Sequence, residues 1–170
     1  MADQLDLSMF DDMDLGGLQK TSTKGKVDIV FVIDVSGSMM PVIEGVRNNV
    51  ITFVDSLRDN ANNQIDYRLG LVLENCDTFW IKDFTKSIDE FRSILENMNS
   101  TWSNEFTLPA IDIAADFDWD KNRHKFIIIF TDEDIKEGCE PEYQLSKYDE
   151  LIDKLNKKKN KNILFRNPYK

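Results

Sequence analysis

The chain has 170 residues, 41% of them hydrophobic, and sets 21 Lys and Arg against 31 Asp and Glu for a formal charge of −10. That length and apolar share suit one domain with a real core. The acidic balance argues against nucleic-acid phosphates and anionic membranes as partners, and no run approaches the ~18 apolar residues of a membrane span.

Residues 1–25 are Asp-rich without helical or strand periodicity and are expected to form a flexible acidic tail. A sharper alternative is a short docking peptide anchored by Leu7, Met9, Phe10 and Leu15. The opening MADQLDLSMF is acidic, unlike a secretory leader, which favours the cytoplasm. Cys76 and Cys139 lie far apart with no zinc-like spacing, so two buried or idle thiols in a reducing compartment are expected, with a disulfide as the alternative.

Order begins near Val27. VDIVFVI is a continuous β-rich run, as in a central parallel strand buried on both faces. Pro41 sits where the first turn of a helix tolerates it, and Val42, Ile43, Val46, Val50, Phe53, Val54 and Leu57 then follow helical spacing. IDYRLGLVL reads as a second strand. TFWIKDF reads as a third, reached by a short turn at Asn75–Asp77 and therefore antiparallel at the sheet edge. Ser87 and Glu90 form a capping box for a helix running to Met98. The loop NSTWSNEF leads to a short helix, LPAIDIAADF. KFIIIFTD is another buried strand, Tyr143–Lys158 a helix, and NILF a last short strand. This alternation predicts an α/β, Rossmann-like open sheet, mostly parallel with one antiparallel edge strand and helices on both faces, over residues 26–170.

In such sheets ligands bind beyond the carboxyl ends of the strands. Asp34 closes the first strand and is followed by Ser36 and Ser38; Asp132 closes FIIIFT. Two carboxylates and two hydroxyls from adjacent strand ends are hard oxygen donors suited to Mg²⁺. Taken alone, the serines would equally serve as turn formers or helix caps.

VDIVFVIDVSGSM, NEFTLPAIDIA and FIIIFTDED together resemble a von Willebrand factor type A domain with its metal-ion-dependent adhesion site, over roughly residues 26–166. The resemblance implies that Asp34, Ser36, Ser38 and Asp132 coordinate Mg²⁺ or Mn²⁺, directly or through water. The family's third loop usually reads Gly-Gly-Thr before a helix, and its Thr joins the metal. Here the loop reads TWSNEFTLPAID; anchoring on the helix selects Glu105, anchoring on residue type selects Thr107, and both stay open. A Glu ligand would favour Ca²⁺ or Mn²⁺. Without that role, Glu105 would be an exposed loop acid and Thr107 a helix cap. Glu133 stands where the family often has Gly and, with Trp102 and Trp80, is a candidate partner contact. His124 is expected to be structural or exposed. The family continues through a further strand and closing helix beyond the equivalent of NILF, so a truncated or split form is expected.

The function implied is a non-enzymatic, metal-dependent protein-interaction module that binds a partner's carboxylate. It would sit in an intracellular assembly of the kind that includes AAA-type ATPases. One alternative is a metal-dependent phosphotransferase or hydrolase with Asp34 as nucleophile. It lacks the second Asp that usually stands where Ser36 does, and there is neither a Gly-Lys-Ser/Thr phosphate loop nor a Ser–His–Asp set. A scaffold with a vestigial site is the other.

Overall fold

The computed structural model describes residues 25–61, 65–76, 78–132 and 138–157. The acidic tail, Glu133 and the NILF segment lie outside these. The elements in order are β1 (Gly25–Asp34), α1 (Ile43–Ala61), β2 (Ile65–Glu74), β3 (Phe79–Thr85), α2 (Ile88–Glu96), α3 (Thr107–Ala115), β4 (His124–Phe130) and α4 (Pro141–Lys157). The strands form one open sheet of order β3-β2-β1-β4. β1 runs parallel to β2 and β4, while β2 and β3 form the expected antiparallel pair. Among the described residues no helix is long and apolar enough to cross a membrane.

β1 is central because its residues are apolar on both sides of the pleat. Val27, Ile29, Phe31 and Ile33 face α1 and α2, meeting Val46, Val50, Val54, Phe91 and Leu95. Val30 and Val32 face α3 and α4, meeting Leu108, Ile111, Ala114, Leu151 and Leu155. The two apolar layers leave β1 buried on both faces and direct function to the ends of the sheet.

At the amino end, β1 interrupts its apolar run with Asp28, which is fully buried. Register places it opposite Arg68 of β2. Arg68 donates Nε to Asp28 Oδ1 at 2.8 Å and Nη2 to Oδ2 at 2.7 Å, and Arg123 Nε lies 3.5 Å from Oδ1. The Asp120 amide also donates to Oδ2, at 3.1 Å. The Arg68 guanidinium stacks over the Phe84 ring, 4.5 Å from its centroid.

Ser87 caps α2 as expected, its hydroxyl accepting from the Glu90 amide at 3.2 Å. The reciprocal half of the capping box does not form. Glu90 instead binds Lys82 and the Thr85 hydroxyl, because a cation and a donor on β3 outcompete one backbone amide. The Ser87 amide turns to Thr85 Oγ1. His124 is the exposed first residue of β4.

Gly70 of β2 lets the end of α3 approach the sheet. A Cβ there would lie 2.6 Å from Phe117 Cε2 and 3.1 Å from Val30 Cγ2. The Phe117 ring is itself set edge-on against Phe84 at 5.4 Å and has little room to yield. Gly70→Ala is therefore expected to destabilise by about 1–3 kcal/mol through overpacking. Urea unfolding would show it as a lower midpoint at unchanged slope; an unchanged midpoint would mean that the ring relaxes freely.

Candidate metal centre

The carboxyl ends of β1, β2 and β4 converge on one crevice. Asp34, the last residue of β1, is fully buried. The chain turns immediately after it, so the Ser36 amide donates back to Asp34 Oδ1 at 2.7 Å. From the end of β4, the Thr131 hydroxyl donates to Asp34 Oδ2 at 3.1 Å. Above this carboxylate the Ser36 and Ser38 hydroxyls are 3.0 Å apart, and Ser38 Oγ donates to Asp132 Oδ1, also at 3.0 Å. The two strand ends thus bring together Asp34, Ser36, Ser38 and Asp132, as their places at the ends of two apolar strands imply.

The third loop enters from the side of β2. Glu74, opposite Asp34 in register, ends β2 and is fully buried. Its Oε2 accepts the Phe106 amide at 2.6 Å and its Oε1 accepts the Thr107 hydroxyl at 2.9 Å. Thr107 opens α3 and is held by Glu74, while Phe106 occupies the cap position without a side-chain cap bond. Glu105 is 2% exposed, so the exposed-acid alternative is corrected: the loop folds inward and buries it beside Gly138. The Asn104 carbonyl accepts the Cys76 amide at 2.7 Å and the Glu105 carbonyl accepts the Cys139 amide at 2.9 Å. One residue past Thr107, the Leu108 amide donates to Oε1 of buried Gln144 at 3.0 Å.

Cys76 and Cys139 are joined in a disulfide with Cα atoms 5.8 Å apart. The expectation of idle thiols is therefore corrected. Cys76, just past β2, and Cys139, just before α4, both hydrogen-bond the third loop at the carboxyl rim of the sheet, which brings together cysteines that are remote in sequence.

Among the described residues the side chains brought together here are acids and hydroxyls. Burial pushes the Asp34 carboxyl above its ordinary range, opposed by the hydrogen bonds from Ser36 and Thr131 and assisted by Asp132. Burial pushes Glu74 up to about 8; Asp34 and Glu105 add to the shift, while the bonds from Phe106 and Thr107 oppose it. The donor set is all oxygen, which suits Mg²⁺ or Mn²⁺. Adjacent ligands of an octahedron with bonds of about 2.1 Å lie ~3.0 Å apart, the spacing found along Ser36, Ser38 and Asp132.

Trp102 stands on the same rim with 89% of its surface exposed. Its loop is fixed on both sides: the Gly37 amide donates to the Ser103 carbonyl at 2.9 Å and the Thr101 amide to the Val35 carbonyl at 2.7 Å. Trp80 is 45% exposed on edge strand β3.

The sequence model of the von Willebrand factor type A domain family matches residues 28–164. The chain belongs to this family. Solved structures resemble this type A domain at the level of fold. One is the pilus adhesin SpaC from Lactobacillus rhamnosus GG, with 20% identity over 66% of this chain and 15% of that one, at a TM-score of 0.56. Another is the vWF domain of the type V pili tip protein Mfa5 from Porphyromonas gingivalis, with 21% identity over 67% of this chain and 39% of that one, at a TM-score of 0.58. The SpRpn10 VWA domain aligns at 16% identity over 81% of this chain and 71% of that one, with a TM-score of 0.53. The chain therefore spans well under half of the two pilus structures. No curated protein matches it significantly.

That Asp34, Ser36, Ser38 and Asp132 meet at one end of the sheet was legible from the strand-end motifs. Glu74 and Thr131 were missed. Glu74 carried the same signal as Asp34 and Asp132, an acid closing an apolar strand, but it reads as the start of the turn when the strand is ended at Leu73.

Proposed function

We propose that this type A domain is a protein-interaction module that binds an acidic group of its partner through a divalent cation. The observation that carries the reading is the chain of Ser36, Ser38 and Asp132 oxygens at 3.0 Å spacing above buried Asp34. Ser36, Ser38 and Asp132 would hold Mg²⁺ or Mn²⁺, with Asp34 supporting them from below and Thr107 or Glu105 contributing from the third loop. Ca²⁺ becomes a better fit if Glu105 takes part. The bound ion supplies an open coordination position for a carboxylate. Trp102 offers the partner a rigid apolar contact beside it, with Glu133 as a further contact.

A binding role is favoured over phosphotransfer because both Asp34 oxygens are occupied, one by the Ser36 amide and one by Thr131, and the side chain is fully buried. A nucleophile would need one of them directed at substrate. An intracellular assembly with an AAA-type ATPase is implied by the family resemblance alone. The Cys76–Cys139 bond favours an oxidising compartment over the reducing cytoplasm.

Saturating Mg²⁺ or Mn²⁺ at a hundredfold excess over Kd is expected to stabilise the folded chain by ~2.7 kcal/mol, about 5–10 °C in Tm. Asp34→Ala should abolish that shift and Ser38→Ala reduce it, since a hydroxyl supplies less charge. Glu105→Ala and Thr107→Ala, compared singly, identify the third-loop ligand. Equal shifts in the wild type and Asp34→Ala would reject the reading. Phosphatase turnover that requires Asp34 would favour the enzyme, and partner binding indifferent to EDTA would favour the scaffold.

A further inference from the structure

The Cys76–Cys139 disulfide lies at the rim of the crevice, with both residues half-buried. Its two halves flank the third loop. Cys76 follows Glu74 at the end of β2, and its amide holds the Asn104 carbonyl at 2.7 Å. Cys139 holds the Glu105 carbonyl through its own amide at 2.9 Å. The Cys139 carbonyl also accepts Gln144 Nε2 at 2.7 Å, and the Oε1 of the same Gln144 accepts the Leu108 amide at 3.0 Å. Backbone and side-chain bonds from the two cysteine segments therefore grip the loop on either side of Glu105 and Thr107, and the sulfur bridge ties those segments to each other. Packing is tight at the same place: a Cβ on Gly138 would lie 2.9 Å from the Glu105 carbonyl oxygen and 2.5 Å from Glu105 Oε1.

We propose that this disulfide is a positioning clasp for the third loop, so that the affinity of the crevice for a divalent cation follows the redox state of the cysteine pair. The inference rests on the metal-dependent reading above. In the switching step a dithiol or phosphine reductant supplies two electrons. The S–S bond breaks and Cys76 and Cys139 become thiols: a dithiol gives up its two hydrogens and closes to a disulfide, whereas a phosphine becomes its oxide by taking the oxygen of one water molecule, whose two protons go to the thiols. Gly138 and Cys139 then keep their packing and hydrogen bonds to the loop but lose the covalent tie to Cys76. Loss of outer support around a metal site typically lowers affinity tenfold to a hundredfold.

The test is a Mn²⁺ titration of the whole chain, followed by the electron paramagnetic resonance of the free ion, before and after reduction with a phosphine and again after reoxidation. Amide exchange at residues 104–108 is measured in parallel without metal. Reduction is expected to weaken Mn²⁺ binding about tenfold and to speed exchange at Phe106 and Leu108, and reoxidation to reverse both. The Cys76→Ser/Cys139→Ser chain should resemble the reduced form and ignore the phosphine. Equal Mn²⁺ affinity in the two redox states would overturn the clasp and leave the metal reading standing. A phosphine effect that persists in the double variant would overturn it too. Failure of the oxidised chain to bind Mn²⁺ at all would overturn the metal reading itself, and the clasp with it.

Discussion

Glu74→Gln is expected to make the metal-free chain more stable at alkaline pH than the wild type. Glu74 keeps its proton in the folded state up to about 8, against an ordinary value of 4.5. Between these two values the folded chain binds more protons than the unfolded chain, so raising the pH removes stability, by at most about 1.4 kcal/mol per unit. Below the lower value the contribution is fully present; above the upper one it is gone. Glutamine is the neutral counterpart of the protonated acid. It can accept the Phe106 amide through its oxygen and donate to the Thr107 hydroxyl through its nitrogen. The variant should therefore lose this part of the pH slope and exceed the wild type near pH 9 by on the order of 4 kcal/mol. Urea unfolding in EDTA at pH 5 and pH 9 measures both ends. A variant weakened equally at the two pH values would mean that Glu74 is ionised in the native state throughout.

Asp28→Ala is expected to cost about 3–5 kcal/mol, the usual penalty for removing one partner of a buried ion pair. Asp28 is fully buried and takes both forks of Arg68, whose side chain is 21% exposed, while Arg123 at 7% exposure loses a second neighbour. The Asp120 amide also loses its acceptor. Thermal unfolding should fall by about 10 °C or more, and the response to Mn²⁺ should persist because the crevice lies at the other end of β1. A loss below 1 kcal/mol would mean that the two arginines find water or other acceptors at no cost.

The fold was readable where one residue pattern admitted one physical solution. The VDIVFVI run, apolar but for Asp28, required burial on both faces, and the short link through Asn75 required an antiparallel edge strand. Asp34 and Asp132 announced the crevice because each closes an apolar strand, and β1 and β4 prove to be neighbours. What stayed hidden depended on pairings between distant segments. Asp28 looks like an interruption of an apolar run until register sets Arg68 opposite it. Glu105 looks like a solvated loop acid until the loop folds inward against Gly138. The cysteines carry no spacing signal, because their meeting depends on which connections share the carboxyl rim.

Trp102 gives the molecule an optical property of its own. Its indole is almost wholly in water yet sits on a loop bonded from both sides. Its emission should therefore be red-shifted and open to collisional quenching by iodide. Any macromolecule that seats on the crevice would shield that ring, making the chain a label-free fluorescent sensor of its own occupancy.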